Sequence, residues 1–409
     1  MEQRVVVVGA GLGGLRAAEQ LRAAKFTGEV IIIGDETHLP YNRPPLSKEG
    51  LAGGLSHEIV AYPRKASVDD VTWRLGETVR SADLTSRVAF LDDGSTLEYD
   101  GLVAATGVSA RRLNLDAPAS WRHVVRTLDD AERLRADLQP GAAVVVVGAG
   151  FIGCEVAATA RVLGCTVDIV DPLPVPLLRP LGVELGNELR RRHEAEGVRF
   201  HLQRTVRSLT GGNEPRQIVL DDDTELAVDV VVEAVGSVPN VGWLDGNHLD
   251  LSDGVRCDGY LRPISTDGPS PSTVVVGDIA RFPNPIFDDV PRRIEHWNIP
   301  TETAKRAARV LVAELAAGPD VRTGNGQDPA DALGPFAPMP AFWSDQYEMR
   351  LQSFGLPSIG QDDIRVLEGE LSGDVAVGYH RDGALVGVVL LGLASRFGHY
   401  RTLIAAGGR

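Results

Sequence analysis

The sequence predicts a mixed α/β chain: two doubly wound, Rossmann-like domains followed by a small α+β C-terminal module. Three observations carry this. A β-branched run, a glycine-rich turn and a stretch of helical composition stand in that order from Arg4, and the same unit recurs from Ala143. Each unit continues into a second apolar strand that ends in an acid, Asp35-Glu36 in the first and Asp171 in the second. Near the C-terminal end the pattern changes to short alternating strands. Strands buried on both faces read as unbroken apolar runs, whereas half-buried antiparallel strands alternate.

In chain order, Arg4 to Val8 is the first strand, Gly9-Ala10-Gly11-Leu12-Gly13-Gly14 the turn, Leu15 to Ala24 the helix and Val30 to Ile33 the second strand. Leu102 to Gly107 is a short apolar strand ending in the small-residue turn Ala105-Thr106-Gly107, and Val230 to Gly236 is its near copy. Between them lie the second strand–turn–helix unit, Ala143 to Leu163, and the strand Thr166 to Val170. Thr273 to Val276 runs into Gly277-Asp278. Residues 318–340 are rich in Gly, Pro, Asp and Asn and read as a linker. Beyond them, 364–371, 375–380 and 384–391 alternate as strands, with Arg381-Asp382-Gly383 as a hairpin turn.

Composition narrows the function classes. The chain has 409 residues, 43% hydrophobic and 24% charged, with a formal net charge of −15. That balance belongs to an ordinary globular protein, and the acidic surplus argues against nucleic acid or an anionic membrane as partner. No apolar run reaches the roughly 18 residues of a membrane helix, and the first strand begins at Arg4, so the expected compartment is the cytoplasm. The cysteines Cys154, Cys165 and Cys257 are too few for a disulfide framework. No His or carboxylate cluster has metal-ligand spacing, so no metal is expected.

The glycine turns carry the chemistry. In Gly-x-Gly-x-x-Gly the first glycine allows a tight bend, the second admits a pyrophosphate to the backbone, and the third lets the helix pack on the strand. The phosphate then sits at a helix N-terminus, where free N–H groups favour negative charge. Gly9, Gly11 and Gly14 fit, with Asp35 placed 21 residues later to bond a ribose. Gly148, Gly150 and Gly153 fit equally, in the turn Gly148-Ala149-Gly150-Phe151-Ile152-Gly153, with Asp171 placed 18 residues later. Two dinucleotides in one chain point to a flavin and a nicotinamide exchanging a hydride. An acid at the second strand's end matches the 2′-hydroxyl of NAD, so NADH is expected and NADP disfavoured, with Arg179 the one nearby cation that would suit a 2′-phosphate.

Further blocks resemble a known family. Pro40-Tyr41-Asn42-Arg43-Pro44-Pro45-Leu46-Ser47-Lys48, the Ala105-Thr106-Gly107 turn, Gly277-Asp278, Arg293-Ile294-Glu295-His296-Trp297 and Phe342-Trp343-Ser344-Asp345-Gln346-Tyr347 are similar, in this order, to the NADH-dependent ferredoxin reductases. These FAD flavoproteins, putidaredoxin reductase and the biphenyl dioxygenase ferredoxin reductase among them, serve cytochrome P450s and Rieske-type oxygenases. The resemblance implies a glutathione-reductase-like architecture. It divides the chain into an FAD domain at 1–108 and 240–322, an NAD domain at 109–239 and a C-terminal domain at 323–409.

By the same resemblance, Gly13, Asp35, Lys48, Val79, Arg126, Asp278 and Trp297 match positions that contact FAD, and Glu155 matches an acid that pairs with the lysine beside the nicotinamide. Lys48 and Glu155 are therefore the catalytic candidates. Glu36, Arg43, Gly107, Gly236 and Gly277 join the cofactor-binding set, Arg43 with a surface ion pair as its alternative. For Asp278 the competing role is a helix N-cap, for Trp297 core packing, and for Glu155 a helix-start acid.

No cysteine precedes Cys154, so the dithiol relay of related disulfide reductases is excluded and electrons must leave the flavin for an outside acceptor. An iron–sulfur ferredoxin is the expected partner, docking near Arg292, Arg293, Lys305, Arg306 and Arg309, a set that reads alternatively as a charged outer helix face. Other acceptors remain open: a rubredoxin, a quinone or a monodehydroascorbate-like radical. A redox-sensing flavoprotein resembling apoptosis-inducing factor is the rival of another class.

Overall fold

The computed structural model describes residues 3–115, 121–210, 216–318, 328 and 330–407. They form two compact units, one of residues 1–42, 61–109 and 239–340, the other of 43–60, 110–238 and 341–409.

The first unit is built on a five-stranded parallel sheet in the order 273–275, 101–104, 4–8, 29–34, 72–75. Its central strand, Arg4–Val8, places Val5 to Val8 almost wholly out of water, as β-branched residues covered on both faces should be. The first helix, Leu12–Ala23, begins three residues before the Leu15 expected from composition. Gly13 and Gly14 belong to its first turn, because the bend is completed by Gly9 to Gly11 and the helix must start there to lie close against the strand.

The second unit repeats the design. Its parallel sheet runs 198–202, 166–171, 143–147, 230–233, 122–123. In the same unit, residues 341–391 form a five-stranded antiparallel sheet in the order 341–346, 349–355, 384–391, 375–381, 364–369. The hairpin expected at 381–383 is present: Asp382 (φ +52°) and Gly383 (φ +77°) are the two left-handed residues of a tight turn that sets Arg381 opposite Ala384. Within Leu178–Ala195 the helix is kinked at Gly182 (φ +80°); Leu185 and Leu189, on one face of the part beyond the kink, share a core with Leu181 before it and with Leu351, Val377, Tyr379 and Val389 of that sheet. The spacing from Leu185 to Leu189 is what a helix needs to present a continuous apolar stripe.

The stretch expected to be a linker departs from that reading. Residues 319–327 and 329 lie outside the described residues, but the rest of 328–340 is fastened to the first unit. Asn284 and Asn298 donate their side-chain amides to the carbonyls of Pro338 (2.7 Å) and Met339 (2.8 Å). Arg262, 2% exposed, pairs with Glu314 (2.6 Å), Asp328 (2.5 Å) and Asp258 (3.4 Å), and its guanidinium lies over Tyr260. Gly and Pro composition could not reveal these ties, because their partners lie far away in sequence. Arg262→Met strips the buried Glu314 and the partly buried Asp258 and Asp328 of their counter-charge and should cost about 3 kcal/mol, read as a lower denaturation midpoint. A midpoint equal to wild type would contradict the role.

Among the described residues, three histidines held low by burial make stability depend on acidity: His123, although Asp137 pulls it the other way, His193 and His296. Burial holds the imidazole of His193, 0% exposed, below its ordinary 6.5, and pushes that of His296 down to about 4. A depressed histidine means that the unfolded chain takes up protons first as pH falls. Stability should therefore be complete above pH 6.5 and decline toward about 4, before most carboxylates titrate. Denaturant midpoints at pH 7.5 and 5 check this, and equal midpoints would refute it.

Candidate functional site

The two glycine turns are geometric duplicates. Gly9 and Gly148 adopt φ +115° and +107°, and a Cβ on either would lie 2.2 or 2.3 Å from a backbone carbonyl, that of Ala105 or Ala234. A Cβ on Gly14 or Gly153 would come within 2.0 Å of the carbonyl oxygen of the first glycine of its own turn. Side chains are impossible at these four positions without moving backbone.

The middle glycines differ in kind. Around Gly11 and Gly150 a Cβ would meet nothing within 4 Å, so the space beside them is open. Each is the N-cap of its helix, neither helix has a side-chain cap, and neither carries an acid in its first turn. The helix Leu128–Asp137 is the contrast: Thr127 and Asp130 close a full capping box there. Two helix starts with unclaimed N–H groups and open space ahead of them fit dinucleotide phosphates.

Around the first turn, the first unit gathers several expected residues. A Cβ on Gly13 would touch Val276 and Ala105, which brings the Ala105-Thr106-Gly107 turn and the end of the 273–275 strand to the helix start. Thr106 donates its hydroxyl to the Asn240 carbonyl (2.6 Å), and Asn240 returns its amide to the Thr106 carbonyl (3.1 Å). Asp35 is exposed just past its strand, and Glu36 accepts the Tyr41 hydroxyl at 2.5 Å. Val79, buried, opens the strand beside Glu77, whose N–H donates to the Gly34 carbonyl.

Gly277 (φ +78°) and Asp278 lie inside a 3₁₀ turn, Gly277–Ile279, whose N-cap is Val276, so Asp278 does not take the N-cap position that was its competing role. Trp297 is 43% exposed, which removes the core-packing alternative. It stands just before the helix Ile299–Ala317, which carries Pro300 in its first turn as a pre-formed start.

In the second unit, the proline-rich segment folds as a 3₁₀ turn, Pro44–Ser47, followed by the short helix Glu49–Gly53. Lys48 is the break between them. Its ammonium reaches Glu155 at 2.8 Å, with side chains 9% and 5% exposed. Glu155 lies in the second turn of the helix Phe151–Val162, past the first turn where a helix-start acid would act on the dipole. Its Oε2 also accepts the Ser47 hydroxyl (2.6 Å), and its Oε1 the Ser344 hydroxyl (2.6 Å). Thr159, one turn on, donates to the Ser47 carbonyl at 2.9 Å and so ties the lysine loop to the helix. Arg43 donates to the Arg126 carbonyl at 2.5 Å.

The acid at the second strand's end is engaged by the backbone. Asp171 is 8% exposed, and its two oxygens accept the N–H groups of Ala149 (2.7 Å) and Leu173 (2.8 Å), fastening the glycine turn to the strand end. Arg179 is exposed on the helix Leu178–Ala195, and Gly236 (φ +98°) is exposed after the 230–233 strand.

The docking set needs correction. Arg306 is 7% exposed, donates to the Leu333 carbonyl and lies over the Tyr260 ring, so it serves the fold and is withdrawn from any docking face. Arg292 is held by Asp288, Arg293 by Asp253 and Glu295, and Lys305 by Glu302. Arg309 is exposed. Sequence inspection counts such charges but does not see their partners.

The described residues thus hold two duplicated turns with open middle glycines and, in the second unit, a buried Lys–Glu pair. The profile of the pyridine nucleotide-disulphide oxidoreductases matches residues 3–304, most of the chain. The chain belongs to this family. A second profile, the reductase C-terminal domain, matches residues 341–409 of this oxidoreductase. The ferredoxin–NAD(+) reductase component of the anthranilate 1,2-dioxygenase system of Burkholderia cepacia is 35% identical, over 98% of this chain and 94% of its own length. The rubredoxin–NAD(+) reductase of Ectopseudomonas oleovorans is 32% identical over 86% of each. Among solved structures, a chain of the covalent putidaredoxin reductase–putidaredoxin complex superposes with a TM-score of 0.87 at 29% identity, covering 99% of this chain and 93% of that one. No helix among the described residues is long and apolar enough to cross a membrane.

Proposed function

We infer that this oxidoreductase binds FAD and NADH and passes single electrons to a ferredoxin that serves a cytochrome P450 or Rieske-type oxygenase. The observation that carries the reading is the pair of uncapped helix starts at Gly11 and Gly150, each opening on free space behind a turn that tolerates no side chain. Bound there, the flavin would supply what no side chain can, the conversion of a hydride into two one-electron transfers.

The chain's own residues do the rest. The turn from Gly9 to Gly14, with Asp35, holds the FAD pyrophosphate and ribose, and Gly148 to Gly153 hold those of NADH. Lys48 supplies positive charge for the reduced, anionic flavin, and Glu155 keeps its ammonium in place. Asp171 holds the NADH turn in shape. The cysteines support an outside acceptor: all three are free and buried, and burial pushes the Cys154 and Cys257 thiols up, away from the thiolate a relay needs. Free thiols also suit a reducing, cytoplasmic setting. For docking, Arg292, Arg293 and Arg309 stay candidates, and the carboxylates that now hold the first two would have to be shared with an acidic partner.

A rubredoxin acceptor is the second reading, supported by the 32% identity to a rubredoxin–NAD(+) reductase. Anaerobic addition of NADH should bleach a yellow protein, and steady-state rates with ferredoxin, rubredoxin and quinone then rank the acceptors. A ferredoxin no faster than a free dye would overturn the first reading. Asp171→Ala should raise KM for NADH about tenfold with kcat nearly unchanged, as lost ground-state binding does. A fall in kcat alone would contradict its placement at the NADH turn.

A further inference from the structure

The lysine–glutamate pair does not stand alone. Ser344 and Gln346 alternate along the strand Ala341–Gln346 and so face the same way, together with Phe342. That face lies along the helix Phe151–Val162: the Phe342 ring packs edge-on against Phe151 at 4.8 Å, and Ser344 meets Glu155 one helical turn further on. Gln346 continues the row to His193, on the helix Leu178–Ala195. Glu155 is 4% exposed, Ser344 and Gln346 1% each, and His193 not at all.

The bonds in this row have one direction. Gln346 donates its amide Nε2 to the Ser344 hydroxyl at 3.0 Å, so its Oε1 is left to accept from His193 Nε2 at 2.7 Å. That assigns the histidine proton to Nε2 and leaves Nδ1 bare, in agreement with a buried Nδ1 that has no partner. Ser344, already accepting from Gln346, turns its own proton to Glu155 Oε1. A hydroxyl that accepts one bond donates the next more strongly. The far side of the carboxylate, Oε2, takes Ser47 and Lys48.

We propose that Ser344, Gln346 and His193 form a positioning chain that fixes the Glu155 carboxylate from behind and thereby holds the Lys48 ammonium at its working position. The proposal rests on Lys48 acting in hydride transfer to the flavin, as inferred above. Without the chain, Glu155 Oε1 loses the Ser344 donor and the carboxylate is free to rotate about its last bond, carrying Lys48 with it. A burial of this kind costs free energy, the more so with His193 Nδ1 left without a partner, and the cost is offset here by donors that all run toward one carboxylate. None of the three is a catalytic residue; each acts through Glu155.

Single and double variants of the holoenzyme test this. Ser344→Ala should slow flavin reduction by NADH about tenfold in stopped flow, the scale of one lost buried hydrogen bond to a charged group, with NADH affinity changed less than about twofold. In a Lys48→Met background the same substitution should have no further effect, because the chain works only through the lysine. Should Ser344→Ala fold poorly, Gln346→Leu takes its place, with a slowing of about two- to fivefold and the same loss of effect in the Lys48→Met background. A readout free of turnover is the Nε2–H resonance of His193 in protein labelled with ¹⁵N-histidine, which should shift in Glu155→Gln although two side chains intervene.

Wild-type rates in both Ser344→Ala and Gln346→Leu, full additivity with Lys48→Met, or an unmoved His193 resonance would each overturn the chain. If Lys48→Met itself reduces at the wild-type rate, it is the role of the lysine that fails.

Discussion

Gly150→Val should give a protein that stays yellow, unfolds at the wild-type temperature and binds NADH about 5- to 150-fold more weakly, the range set by 1–3 kcal/mol of steric conflict. The reasoning is positional. A Cβ at Gly150 meets no protein atom within 4 Å, and the residue's φ of −78° suits any side chain, so the fold has no objection to valine. What the side chain would occupy is the space in front of the helix N–H groups, where the NADH pyrophosphate is inferred to lie. Gly11→Val is the matching change in the first turn and should release flavin instead, giving a folded but colourless protein. Gly153→Val is the control with the opposite logic, since its Cβ would strike the Gly148 carbonyl and damage the fold itself. Dissociation constants for NADH, flavin content and melting curves separate the three. Unchanged NADH binding in a folded Gly150→Val protein would remove the second turn from the cofactor site.

Lys48→Met should produce two losses at once. Flavin reduction by NADH should slow about 100- to 1000-fold, the effect of removing a preorganised electrostatic partner. Stability should fall by about 3–5 kcal/mol, because Glu155 is left buried with hydroxyl donors but no counter-charge. The two losses have different remedies. Adding Glu155→Gln to Lys48→Met removes the stranded charge, so the double variant should recover much of the stability and none of the rate. Stopped-flow traces and denaturation midpoints on the same preparations decide it. A Lys48→Met enzyme reduced at the wild-type rate would take the lysine out of the chemistry and leave the ion pair a purely structural feature.

Much of this was written in local sequence. Glycines at fixed spacing after a β-branched run specify a tight turn and a close helix, and both turns have that geometry because φ near +110° and contacts of 2 Å exclude every other residue. The Asp382-Gly383 hairpin was legible for the same reason. The first helix was placed three residues late because Gly13 and Gly14 look like turn residues, although packing against the strand makes them helical. Docking arginines were misjudged where a buried partner mattered, as with Arg306. The 328–340 segment looked loose because its anchors, Arg262, Asn284 and Asn298, are dispersed along the chain.

By itself, then, the amino-acid order determined that there would be two tight glycine turns leading into helices and no thiol ahead of Cys154, since both depend only on residue type and short-range backbone geometry. Tertiary structure alone decided what surrounds Glu155. Ser47, Ser344, Gln346 and His193 are drawn together from distant stretches of chain, and their hydrogen bonds join residues up to 189 positions apart. A serine or glutamine in a strand carries no local sign of its partner. Whether it faces water or a buried carboxylate is settled only when the sheet closes over the helix and each polar group must find a donor or acceptor out of reach of solvent.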